Sequence, residues 1–284
     1  MANPIFLFDN RFRDGTIMTP DMQPWGGFPW GYYPWGGLQQ ADYLADYRDF
    51  LPWEAQDTGE QNISVRCGTP KPASAIGISG HNLKTAGVLI SVEGSNDNFL
   101  SDVHTILAAS TPFSNRPLLL TFTQTQYPDL RLHLTAGGVP AKIGEICLGI
   151  PIVMPAPPDT PFIPGEEGIA VDVNESQIGQ LLGAIIRFYP VSTDIVFTVL
   201  ERSWALSGWG QFTWGEKAWG DGASVRAIWE YLKTLRPLFF AWDLDTYPAD
   251  ALYAHADPSM TWKTPFTTLP YLDSVEVKLQ SLGG

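Results

Sequence analysis

Alternating apolar and polar positions predict that this chain is built mainly from strands. Across residues 61–67, Ile63, Val65 and Cys67 alternate with Asn62, Ser64 and Arg66, the two-residue period of a half-buried strand. Residues 130–134 keep the same period, with Arg131 and His133 opposite Leu130, Leu132 and Leu134. Between them, residues 71–75 predict a turn that leads into a strand at Ile76-Gly77-Ile78-Ser79. A tight corner follows at Gly80-His81-Asn82-Leu83, where Gly and Asn tolerate positive φ. Residues 88–93 read as the next strand, ended by Gly94-Ser95-Asn96-Asp97. Residues 105–109, 117–124 and the apolar 142–153 add further strands, and residues 5–8 a short one near the start. Many short strands joined by polar corners predict a β-sandwich.

The pattern changes after residue 154. Residues 155–165 hold five prolines in eleven positions, a composition that favours stiff extended backbone and marks a domain boundary. Beyond it, residues 177–189 are apolar with no deciding period, so strand and helix both stay open. Residues 193–201 are rich in β-branched residues and read as a strand. One helix is expected, with Ser224 as its cap and Val225, Ile228, Trp229, Leu232 and Leu235 on one face before Arg236-Pro237. Residues 238–243 then predict a buried strand and residues 271–279 an alternating one. The division expected is an N-terminal arm (1–39), a sandwich (40–154), a Pro-rich linker (155–168) and a second β-rich domain with one helix (169–284). Within the arm's sequel, residues 40–52 suggest a short helix or turn.

Charge narrows the functional classes. The net charge is −13 with a pI near 4.6, the wrong sign for binding phosphate backbones, so no nucleic-acid partner is expected. No apolar run is long enough for membrane insertion, and the start has no basic, apolar leader, which predicts synthesis in the cytoplasm. Cys67 and Cys147 are too few for a disulfide framework or a thiolate zinc site and are expected as free thiols. Only 17% of residues are charged while 13% are aromatic. That balance fits either a surface covered by neighbours or a Trp-rich core.

The aromatics concentrate in two Gly-rich stretches. In residues 25–37, Trp25, Phe28, Trp30, Tyr32, Tyr33 and Trp35 are separated only by Gly and Pro; Trp209, Trp214 and Trp219 repeat the theme. Neither helix nor strand should persist there. Such rings anchor partner proteins, fold over their own domain, or stack on sugars, so these nine are the candidate partner- or glycan-contact residues. Catalytic signatures are missing: His81, His104, His133 and His255 are scattered, and no nucleophile elbow, zinc-protease helix or phosphate loop occurs. Asp243, Asp245 and Asp250 cluster near Trp242 and Tyr247, but a glycosidase needs two carboxylates at a set separation. Asp97 and Asn98 offer too few oxygens for a tuned calcium site and read as an Asx-capped turn. No catalytic residue, metal or cofactor is expected.

The run Gly77-Ile78-Ser79-Gly80-His81-Asn82-Leu83, followed by an apolar strand and Gly94-Ser95-Asn96-Asp97, resembles the discoidin-like (galactose-binding-like) domains of tailed-phage structural proteins. Pro52-Trp53-Glu54 and Asp57-Thr58-Gly59 match that family's upstream Trp segment and D-x-G turn, and the resemblance covers residues 40–150. It implies a jelly-roll sandwich with Trp53 in its core. More loosely, residues 175–284 resemble the ring-forming domains of phage distal-tail and baseplate proteins. Together the resemblances imply a non-enzymatic virion protein of the tail tip, assembled as a homo-oligomeric ring with other phage tail proteins. The alternative they imply is a carbohydrate- or receptor-binding module that meets a host surface glycan.

Overall fold

The computed structural model describes residues 3–18, 43–159, 166–167, 170–175, 181–188, 191–197, 200–201, 225–257, 271–272 and 275–281. In chain order its first elements are β1 (Ile5–Leu7), α1 (Arg11–Asp14), β2 (Thr16–Met18), β3 (Trp53–Glu54), β4 (Gln61–Ser79), α2 (Leu83–Ala86) and β5 (Ile90–Ser95). Next come β6 (His104–Ser110), β7 (Leu118–Leu134), β8 (Lys142–Ile143), β9 (Glu145–Gly149) and β10 (Ile152–Val153). The second half supplies β11 (Glu166–Glu167), β12 (Ala170–Glu175), β13 (Leu181–Phe188), β14 (Val191–Phe197) and β15 (Leu200–Glu201). It continues with α3 (Val225–Leu232), β16 (Leu238–Ala241), β17 (Ala251–Ala256), β18 (Tyr271–Leu272) and β19 (Val275–Ser281). The protein is mainly β, with a β-sandwich followed by a second β-rich unit that carries α3.

Two long strands organise the sandwich. β4 runs 19 residues and β7 runs 17, paired antiparallel from Gln61 opposite Leu134 to Ile78 opposite Leu118. The turn expected at residues 71–75 is instead strand: register shifts after Arg66 and after Ala73 absorb the irregular sequence, with Gly68 at φ 72°. A bulge accommodates an extra residue and a local bend without ending the ladder. For the same reason the separate strands expected at 117–124 and 130–134 are one. β2 and β5–β6 flank one half of this ladder and β9 the other. Ile63, Val65, Leu130 and Leu132 therefore share one core with Ile76, Ile78, Ile143 and the fully buried Trp53. The single closing strand expected over 142–153 is three pieces, each with a different partner: β8 on β3, β9 on β4, and β10 on β1.

The second unit centres on a seven-stranded sheet in the order β10-β1-β16-β17-β19-β14-β11. Its first two strands come from opposite ends of the sandwich sequence. β1 lies within the expected N-terminal arm, and β10 ends the expected sandwich, so the chain starts in the second sheet, builds the sandwich and returns. Met154 N–H then donates to the Pro4 carbonyl at 2.8 Å, and Asp159 N–H to that of Val196 at 2.8 Å, which ties the head of the Pro-rich segment to the same sheet.

Both faces of this sheet are covered. Phe6, Phe240, Ile195, Val277 and Leu279 pack on one side with Ala227, Ile228 and Leu232 of α3. Ile5, Leu7, Phe239, Ala241 and Tyr253 alternate to the other side, against Ala75, Leu119 and Cys147 of the sandwich. A strand buried on both faces needs a continuous apolar run, and Ile5-Phe6-Leu7 and Leu238-Phe239-Phe240-Ala241 supply it. The helix is shorter than its spacing predicts: Leu235 has φ 54° and is 55% exposed, beyond the last helical residue Leu232. The expected cap Ser224 lies outside the described residues. Residues 181–188 form a strand, which settles the open alternative there.

Candidate functional site

Among the described residues, a dense polar constellation lies where the sandwich meets the second sheet, and the run Asp9-Asn10-Arg11-Phe12-Arg13-Asp14 builds it. Asn10 caps α1 by accepting the Phe12 N–H at 3.0 Å, the usual role of an Asn at this position. The same oxygen accepts the Leu148 N–H at 3.2 Å, while the Asn10 amide donates to the Ile146 carbonyl at 2.6 Å. One side chain thus holds β9 against α1. Arg11 pairs with Asp9 at 2.7 Å and Asp14 at 3.0 Å, and its Nε donates to the Pro72 carbonyl at 2.8 Å. Arg13 meets Glu145 at 2.7 Å and the Ala45 carbonyl at 2.6 Å, with its guanidinium over the Tyr47 ring. From the second unit, Arg236 donates to the Tyr47 hydroxyl at 3.2 Å.

Burial dominates the electrostatics of this seam. It pushes the Glu145 carboxyl up to about 8 and Asp9 up to about 6, although Arg13 and Arg11 respectively pull the other way. Desolvation penalises the charged form more than a single ion pair restores. A cavity of about 10 Å³ beside Glu145, lined also by Arg13, Tyr47, Cys147 and Tyr253, has room for one water. The Tyr253 hydroxyl, buried there, meets no protein partner among the described residues. This arrangement is a structural joint with water-sized space, too small to admit an organic substrate.

The corner at Gly80–Leu83 leads directly into α2, closed at Gly87 in the left-handed region at φ 71°. His81 works there as a backbone acceptor: its Nδ1 takes the Leu83 N–H at 3.4 Å, and burial lowers its pKa to about 4. The loop after β5 is wired by Asp97. Its carboxylate accepts from Ser95 Oγ at 2.9 Å, Leu100 N at 3.1 Å, Ser101 N at 2.9 Å, Ser101 Oγ at 2.7 Å and Asp102 N at 3.1 Å. Those bonds hold its pKa far below the usual carboxylate range and leave it engaged as the Asx-type turn closure expected from sequence. Asn98 and Phe99 both take positive φ, 61° and 60°, and Arg131 covers the Phe99 ring at 4.3 Å. The loop therefore presents Leu100, 83% exposed, on a fixed scaffold.

The nine aromatic contact candidates, Trp25, Phe28, Trp30, Tyr32, Tyr33, Trp35, Trp209, Trp214 and Trp219, lie outside the described residues. Of the acidic group near Trp242, Asp243 is 1% exposed and accepts the Thr246 N–H at 3.1 Å, closing a turn, while Asp245 and Asp250 are exposed. Trp242 and Tyr247 stack with centroids 4.6 Å apart. Cys67 and Cys147 are both free, and burial raises both thiols. The 9–14 run was missed as a joint because, in sequence, it reads as a charged arm. Its signal was the Asn placed just before a short amphipathic turn with alternating charge.

No protein-family model and no curated protein matches this chain. Among solved structures, it is similar to chitosan-binding module 1 of a chitosanase/glucanase from Paenibacillus sp. IK-5, at 16% identity and TM-score 0.38, covering 50% of this chain and 98% of that one. It is also similar to CpGH89CBM32-5 from Clostridium perfringens, solved in complex with GalNAc-β-1,3-galactose. There the identity is 14% and the TM-score 0.39, covering 50% of this chain and 100% of that one. A pectin-binding carbohydrate-binding module matches at 16% identity and TM-score 0.34, covering 47% of this chain and 88% of that one.

Proposed function

We propose that this chain is a non-enzymatic structural protein of a tailed-phage virion, built into the tail tip or baseplate by contact with its own copies and other tail proteins. The observation that carries this reading is the joint between the two units. The sandwich is not a bead on a tether: β1 and β10 place both ends of its sequence in the second sheet, and Phe239, Tyr253, Ala75 and Leu119 share a core. A sandwich fixed in this way holds its loops at set positions relative to a second surface, as a fixed place in an assembly requires. The sequence resemblances of residues 40–150 and 175–284 supply the kind of assembly. Trp25, Trp30 and Trp35, with the Trp209–Trp219 set, are then the docking anchors, since large aromatics carry most contact energy. Stepwise dissociation of purified particles, followed by mass spectrometry, tests the reading. The chain should leave with tail components at constant stoichiometry; its absence from particles overturns the proposal.

A second reading, a carbohydrate-binding module on the virion, is favoured by one observation. Tyr247 is 46% exposed and stacked on Trp242, beside the exposed Asp245 and Asp250. Aromatic rings next to hydrogen-bonding carboxylates are what sugar recognition uses. Saturable binding to host surface polysaccharide, lost in Tyr247→Ala, would support it; no binding by the intact chain would remove it.

A further inference from the structure

We infer that Glu145 is a proton-operated clasp between the sandwich and the second sheet, joined to Tyr253 of β17 by one water molecule held between them. Glu145 opens β9, and its side chain is 2% exposed. Both of its oxygens accept bonds from the sandwich side: Oε1 takes Arg13 Nη2 at 2.7 Å, and Oε2 takes the Tyr47 N–H at 2.8 Å. Across the seam stands the buried Tyr253 hydroxyl, which meets no protein partner among the described residues. Glu145 and Tyr253 line the same cavity of about 10 Å³, with Arg13 and Tyr47 as further polar walls. A buried hydroxyl without a partner is destabilising. A space of roughly one water's size with several polar neighbours is where a protein retains a water.

The backbone beside the cavity is strained. Tyr47 has φ 73°, a region that bulky side chains rarely adopt. Three contacts keep it there: the bond to Glu145, the Arg13 guanidinium 3.0 Å over its ring, and Arg236 of the second unit on its hydroxyl at 3.2 Å. Such a conformation persists only where its surroundings over-determine it. Weakening the Glu145 bond therefore releases Tyr47 and, with it, the contact to Arg236.

The groups around Glu145 set the sense of the switch. Arg13 of α1 favours the carboxylate, while Asp46 and Asp49 of the loop before β3 oppose it. From β1 and β16 the cavity receives only apolar side chains, Leu7, Phe8, Leu238 and Phe239. Asp9, just beyond β1, is paired with Arg11. The Tyr231 hydroxyl of α3 donates to the Pro237 carbonyl at 2.8 Å, and burial keeps the Cys147 thiol of β9 protonated. Burial outweighs Arg13 and raises Glu145 from 4.5 to about 8. Protonated, it can donate its own hydrogen to the water that reaches Tyr253. Ionised, it is a buried charge that opening the seam would hydrate. Since the folded pKa lies above the ordinary one, the clasp is closed at low pH and loosens as pH rises towards 8.

Cys147 reports the opening, because it lines the same cavity and is 4% exposed. Its alkylation in the full chain is followed by mass spectrometry from pH 6.5 to 8, each rate divided by that of the same cysteine in the unfolded chain. The division removes the thiol's own ionisation, and Asp9, titrating near 6, is largely ionised throughout this window. The ratio should rise about tenfold in the wild type and stay flat in Glu145→Gln. Gln can accept through one atom only, so that variant starts more reactive; the slope is the readout. Tyr253→Phe, which leaves Glu145 in place, should label about threefold faster than wild type at pH 6.5 because the water loses its partner on β17. A flat wild-type ratio, or an equal rise in Glu145→Gln, overturns the proton-operated clasp. Equal labelling of Tyr253→Phe and wild type overturns the water link.

Discussion

Gly77 and Phe239 pack closely across the joint and yield a signed double-mutant prediction. Phe239 is 1% exposed, its ring tilted 41° against Tyr253 with centroids 4.8 Å apart. It lies directly over Gly77, where an added Cβ would stand 2.5 Å from Phe239 Cγ and 2.6 and 2.8 Å from its Cδ atoms. Phe239→Ala leaves a cavity between the two units and should cost about 3–5 kcal/mol. Gly77→Ala forces either the ring or strand β4 to shift, costing about 1–3 kcal/mol by overpacking, partly offset by about 0.5–1 kcal/mol from removing a strand glycine. In the double variant the new methyl enters space the ring has vacated. The combined loss should then fall short of the sum by about 1–2 kcal/mol. Guanidinium unfolding followed by two independent probes measures each free energy and shows whether sandwich and second sheet still unfold together. Additive losses within about 0.5 kcal/mol would refute the contact on which the joint depends.

The remaining predictions address the polar seam and the loops. Glu145 and Asp9 are acids whose folded pKa values, about 8 and about 6, exceed their ordinary ones of 4.5 and 3.8. Their contribution is full below about pH 4 and is lost as pH rises through 6 and then 8; a melting series of Glu145→Gln against wild type should flatten the upper part of that loss. His81 acts in the opposite sense, its contribution present above pH 6.5 and lost as pH falls towards 4, so His81→Gln should reduce the acid-side slope. Asn10→Ala removes three hydrogen bonds at once, one of them the cap of α1, and should cost about 2–4 kcal/mol in denaturant unfolding. Tyr253→Phe removes a hydroxyl that meets no protein partner among the described residues and should stay within about 1 kcal/mol of wild type in the same assay.

What could be read in sequence follows from periodicity. Residues 61–67 and 130–134 face a core on one side and water on the other, so their alternation carries the information. The ladder between β4 and β7 was not legible, because Pro72 and Pro128 look like breakers and only the bulged register shows that they sit within strands. β1 reads as a strand, yet its partner β16 begins at Leu238, and no local pattern announces pairing across that separation. A run buried on both faces, such as Leu238-Phe239-Phe240-Ala241, has no period to say which side meets which layer. At the candidate site, the roles of Asp97 and His81 as turn-formers were legible from their neighbours. The service of Asn10 and Arg13 to β9 was not, since it depends on residues more than a hundred positions away.

The most direct test of the functional account is immunogold electron microscopy of particles from the source lysate with antibody against this chain. The account predicts gold clustered at the distal end of the tail. Gold on the head or neck would contradict the tail-tip placement, and no label on intact or partly disassembled particles would contradict a virion role altogether.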